Sequence, residues 1–71
     1  MTYHYKGKTI TLNDRLIKKY EAFTGSSFTD LDIEYLLRVA KREQSGVEIN
    51  TLSETELSDI LTEQMKNELS Y

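Results

Sequence analysis

Apolar and polar residues alternate at the start of the chain and then change to a three-to-four spacing. Over residues 1–12 the period is two, as in a half-buried strand. If Lys6-Gly7 forms a two-residue turn, Tyr5 pairs with Lys8 and Tyr3 with Ile10. Met1, Tyr3, Tyr5, Ile10 and Leu12 then share one face of a β-hairpin, and Thr2, His4, Lys6, Thr9 and Thr11 share the other. Glycine supplies the positive φ that so tight a turn requires. A two-stranded hairpin is marginal in water by itself, so its apolar face needs cover.

That cover comes from three predicted helices, over 13–24, 29–45 and 53–70. Each opens with the same device. In Leu12-Asn13-Asp14-Arg15-Leu16-Ile17, Phe28-Thr29-Asp30-Leu31-Asp32-Ile33 and Leu52-Ser53-Glu54-Thr55-Glu56-Leu57, a side-chain oxygen stands at the N-cap to accept from an orphaned backbone N–H. An apolar residue just before each cap can pack on one four positions into the helix. Ser53 with Glu56 makes a full capping box, and Thr29 with Asp32 its shorter relative.

Gly25 and Gly46 stand where a left-handed residue would end the first two helices. The apolar stripes are Leu16, Ile17, Tyr20 and Phe23; Ile33, Leu36, Leu37 and Ala40; and Leu57, Ile60, Leu61, Met65 and Leu69. Residues 46–50 are too few for a helix, and 47–49 are a candidate third strand on the hairpin edge. The expected architecture is therefore a single α+β domain over 1–71, with an N-terminal hairpin packed on three short amphipathic helices.

Size narrows the picture. A chain of 71 residues buries only ~60% of its unfolded surface, and its core supplies ~3–5 kcal/mol without a staple. It has no cysteine and one histidine, which excludes disulfides and the usual zinc sites and suits a reducing cytosol. No apolar run approaches a membrane span, and no signal-peptide pattern is present. Charge is uneven: residues 1–45 carry a net +2 and residues 46–71 a net −5. Such a C-terminal segment repels phosphate, so direct nucleic-acid binding is not expected. Its acids form either a solvated helix face or a docking face for a basic partner.

Candidate chemistry is sparse. Thr24-Gly25-Ser26-Ser27 has hydroxyls and a glycine, but a phosphate loop needs more glycines and a lysine after a buried strand. Turn and cap chemistry accounts for it better, although Ser27 and Thr29 at a helix start can hold an anion weakly. A serine nucleophile needs a base, and His4 falls on the polar hairpin face among Thr2 and Lys6. Asp30-Leu31-Asp32-Ile33-Glu34 begins like a calcium loop, but Tyr35 and Lys41 occupy the positions of its glycine and last glutamate. Lys18, Lys19, Arg38, Lys41 and Arg42 make a modest basic surface without a recognition motif. Catalytic residues, cofactors and metals are not expected.

Tyr3, Tyr5, Tyr20 and Tyr35 are placed to be core or half-buried. Tyr71 is either frayed or a contact made in a complex. An acidic inhibitor would need Glu48, Glu54, Glu56, Asp59, Glu63 and Glu68 on one exposed strip in imitation of phosphates.

The order of elements resembles the tail-assembly chaperones of long-tailed bacteriophages. The likeness rests on the hairpin Tyr5-Lys6-Gly7-Lys8-Thr9-Ile10 and on the helix end Tyr20-Glu21-Ala22-Phe23-Thr24-Gly25-Ser26. It continues through Leu36-Leu37-Arg38-Val39-Ala40 and the capped acidic helix from Ser53. In that family a Glu…Thr-Gly-Ser helix end, often with a lysine after the glycine, follows an N-terminal hairpin; this chain lacks the lysine. The resemblance implies non-catalytic binding of a tape-measure-like helical protein, in many copies, in the bacterial host cytoplasm. The alternative is a small inhibitor or antirepressor that blocks a DNA-binding repressor or a host enzyme. Glu56, Asp59, Glu63 and Tyr71 are the candidate partner-binding residues.

Overall fold

The computed structural model describes residues 1–40 and 51–70. The candidate strand at 47–49, the Gly46 helix stop, the second helix beyond residue 40, and Lys41, Arg42, Glu48 and Tyr71 lie outside the described residues. Within them the order is β1 (Thr2–Tyr5), β2 (Lys8–Thr11), α1 (Asp14–Thr24), α2 (Asp30–Ala40) and α3 (Glu54–Glu68). The fold is α+β, an antiparallel hairpin followed by three helices.

The hairpin has the predicted register, Tyr3 opposite Ile10 and Tyr5 opposite Lys8. Both turn residues have positive φ, 49° at Lys6 and 79° at Gly7. That is the sense of turn that matches the twist of the flanking strands. Gly7 adopts it without cost, whereas Lys6 pays ~1–2 kcal/mol for a left-handed backbone. Its ammonium lies 5.7 Å from the centre of the Tyr5 ring, a cation–π contact that offsets part of this.

β1 lies over α2 and β2 over α3, while α2 and α3 pack side by side and α1 closes against α3. The core between them holds Tyr5, Ile10 and Leu12 from the hairpin, Leu16, Ile17 and Tyr20 from α1, Ile33, Leu36 and Leu37 from α2, and Leu57, Leu61 and Met65 from α3. The staple residues lie where the caps predict: Leu12, Ile17, Phe28, Ile33 and Leu57 are in the core, and half-buried Leu52 packs against it. The Leu16 N–H donates to Asn13 Oδ1 at 3.1 Å. The Ser53–Glu56 box is reciprocal, at 2.8 and 3.1 Å.

Three expectations about the apolar residues are corrected. Phe23, placed on the core stripe of the first helix, is 59% exposed. Its ring sits beside Tyr20, with centroids 6.0 Å apart. The chain reverses at Gly25 (φ 80°) and brings Phe28 back into the slot. Phe28 is buried and meets Tyr20 and Tyr3 edge-on at 5.9 and 5.1 Å. Tyr35 is 43% exposed rather than half-buried or core, because α2 turns Ile33, Leu36 and Leu37 inward and leaves residue 35 on the outer face. Met1, expected on the inner hairpin face, is 51% exposed; it precedes β1 at the open end of the hairpin, where its ammonium donates to the Leu12 carbonyl and to Asp14.

Candidate functional site

The joint between α1 and α2 is built from its own polar groups. Thr24 Oγ1 donates toward the Glu21 and Ser26 carbonyls (3.4 and 3.3 Å) and lies 3.4 Å from the Ser26 N–H. The Gly25 N–H donates to the Glu21 carbonyl at 2.8 Å. Beyond the turn, the Phe28 N–H donates to Glu21 Oε2, also at 2.8 Å. Thr29 opens α2: its N–H donates to Asp32 Oδ2 at 2.9 Å, and its hydroxyl accepts from the Leu31 N–H at 3.3 Å. A bound phosphate would therefore meet the Glu21 and Asp32 carboxylates, which already hold the amide donors it would use. Sequence reasoning quoted Glu21 only as part of a motif; its reach across seven residues had no local signal.

His4 is exposed and lies across the strand pair from Thr9, its Nδ1 3.4 Å from the Thr9 hydroxyl. Asp30, Asp32 and Glu34 do not act together: Asp30 is exposed in the first turn of α2, Asp32 caps that helix, and Glu34 pairs with Arg38 at 3.2 Å. Among the described residues, no group of three or more potential metal ligands converges.

The acids of α3 fall into two sets. Glu56, Asp59 and Glu63 share the face turned away from Leu57, Leu61 and Met65, and all three are exposed. The Glu56 carboxylate belongs to the capping box. Glu54 and Glu68 point elsewhere. Glu54 Oε2 accepts from the Thr9 N–H at 2.7 Å, and Ser58 Oγ from the Thr11 N–H at 3.3 Å. These two side chains cover the outer edge of β2, where the ladder leaves donors unpaired. Glu68 accepts from the Tyr35 hydroxyl at 3.2 Å and from Gln64 at 3.4 Å. The expected strip of six thus retains three members among the described residues. Asp59 and Glu63 also border a shallow hollow with Ala40, Ile60 and Asn67.

A second surface went unnoticed in the sequence. Phe23 (59% exposed), Leu31 (77%) and Tyr35 stand on the outer sides of α1 and α2. Leu31 and Tyr35 are one turn apart on α2, and Phe23 adjoins Tyr20. Tyr20 itself is buried, with Glu68, Asp32 and Tyr35 among its ionisable neighbours. Burial first, and then these neighbours, push its pKa up to about 12. The Tyr35 hydroxyl is also held above its usual range, chiefly by its hydrogen bond to Glu68. Phe23, Leu31 and Tyr35 thus form an exposed arc over the outer sides of two successive helices, with Glu68 hydrogen-bonded at Tyr35. Its signal in the sequence was Leu31, which stands off the core stripe of its helix.

Compared with known proteins, the chain matches no family model, no curated protein and no solved structure.

Proposed function

We propose that this chain is a non-enzymatic protein-binding module, a phage-encoded assembly chaperone or adaptor that acts in the bacterial host cytoplasm on a helical, tape-measure-like partner. The observation that carries the reading is the arc of exposed Phe23, Leu31 and Tyr35 on the outer sides of α1 and α2. Scattered exposed leucines are ordinary. Two exposed aromatic rings and a largely exposed leucine on successive helices of a domain this small suit a contact surface rich in aromatic anchors. The resemblance of the hairpin and the Glu21–Ser26 helix end points to the same class.

The test is to immobilise the chain, capture its partner from the native host and identify it. Tyr35→Ser and Leu31→Ser should release a long helical protein while leaving circular dichroism unchanged. Retention of that partner by both variants would remove the arc from the reading.

The second reading is a small inhibitor or antirepressor that offers Glu56, Asp59 and Glu63 to a nucleic-acid-binding protein. It is favoured only by their common exposed face. In that case binding falls steeply with salt and with charge reversal at Asp59 and Glu63, and is indifferent to Tyr35→Ser.

A further inference from the structure

Between α1 and α3 runs an open groove of about 570 Å³ lined by Asn13, Arg15, Leu16, Thr62 and Lys66. Its polar chemistry is mostly that of donors. Asn13 Oδ1 is already engaged by the Leu16 N–H, which leaves the side-chain NH₂ to face a ligand. Arg15 and Lys66 are exposed, and neither has an ion-pair or hydrogen-bond partner among the described residues. Leu16 forms an apolar floor. In a chain with a net charge of −3, two cations from different helices that line one groove without an ion pair among the described residues suit carboxylate partners.

The same molecule carries matching carboxylates. Asp59 and Glu63 stand one turn apart on the outer face of α3, about 6 Å along its axis. They too lack ion-pair partners among the described residues. We infer that a second copy of this chain docks there, with Asp59 and Glu63 of one copy on Arg15 and Lys66 of the other. Glu63 and Lys66 are separated by less than one turn of the same helix. Two copies related by a two-fold axis therefore form both contacts at once, the commonest symmetry of soluble assemblies. The mutual repulsion of two acidic chains is screened beyond about 8 Å at physiological ionic strength, while pairs in contact are screened much less. The resulting association is weak and salt-sensitive. The inference rests on the protein-binding reading and names a second copy as one partner, on a surface separate from the Phe23–Leu31–Tyr35 arc.

Sedimentation velocity of the full chain, over a wide concentration range at about 0.05 M and about 0.5 M salt, provides the test. Mass should rise with concentration at low salt and return to monomer at high salt. Arg15→Glu/Lys66→Glu and Asp59→Lys/Glu63→Lys should each be monomeric, with wild-type circular dichroism, and an equimolar mixture of the two should associate again. If a double variant fails to fold, the single pair Lys66→Glu and Asp59→Lys reports the same recovery. A wild type that is monomeric at low salt overturns the proposal, as does a mixture that stays monomeric. Association that survives high salt but is abolished by Tyr35→Ser assigns self-contact to the arc and equally overturns it. A monomer that still captures a helical partner through the arc loses this inference and keeps the reading above it.

Discussion

The α1–α2 joint and the junction between β2 and α3 use the same chemistry over very different distances in sequence. In the joint, Glu21, Thr24, Thr29 and Asp32 satisfy backbone donors no more than seven residues away. At the junction, Glu54 and Ser58 satisfy donors on Thr9 and Thr11, 45 and 47 residues earlier. The first is local and forms as soon as the helix ends form. The second exists only after the hairpin has settled on α3, so it reports docking rather than helix formation. Carboxylates five residues apart on one helix can therefore differ entirely: Glu54 is part of the sheet edge and Asp59 faces solvent.

The largest test of this contrast is on the docking side. Leu57→Asp places a carboxylate at a fully buried position beneath β2. The cost exceeds the ~3–5 kcal/mol that a core of this size supplies. No cooperative thermal transition is expected; a native-like melt would contradict the packing. Ile60 is only half-buried, so Ile60→Asp should destabilise by less and leave a broadened melt.

Next come the local groups. Gly25→Ala puts a Cβ at φ 80° with nothing else in contact, so the whole penalty is backbone strain, about 1 kcal/mol. Ser53→Ala removes the box oxygen and should cost about 1 kcal/mol in denaturant titration. Glu54→Ala keeps that cap and should cost a similar ~1 kcal/mol. The two separate in amide exchange: Ser53→Ala frees the first-turn amides of α3, whereas Glu54→Ala frees Thr9. If both expose the same amides, the distinction between local and long-range roles is lost.

The effect of pH is smaller and has a definite sign. Tyr20 is raised from 10.0 to about 12, first by burial and then by Glu68, Asp32 and Tyr35. The folded state therefore holds its proton where the unfolded chain releases it. Its contribution is fully present below pH 10 and is lost as pH rises from 10 through about 12. Melting temperature should fall across that window, and Tyr20→Phe should flatten the fall without abolishing it, because Tyr3, Tyr5 and Tyr35 are shifted the same way. The smallest change is at the turn: Lys6→Asn should stabilise by a few tenths of a kcal/mol, since asparagine tolerates the left-handed backbone.

The hairpin register, the three helix starts and most of the core were legible because each depends on spacings of two to four residues. Tyr3 opposite Ile10 follows from the Lys6-Gly7 turn, and the Ser53–Glu56 box from its own tetrapeptide. The candidate site was much less legible. Glu56, Asp59 and Glu63 do share a face, as their spacing on one helix requires. Glu54 and Glu68 left the expected strip because β2 and Tyr35 drew them in, and neither partner is near them in sequence. The exchange of Phe23 for Phe28 in the core has the same origin. Periodicity puts Phe23 on the stripe and both rings lie beside Tyr20, but after the reversal at Gly25 it is Phe28 that is buried and also meets Tyr3. Short-range order here follows from backbone geometry and capping, which each segment carries within itself. Which side chains remain outside to meet a partner depends on how the segments pack, because burial belongs to pairs of surfaces brought together across the whole chain.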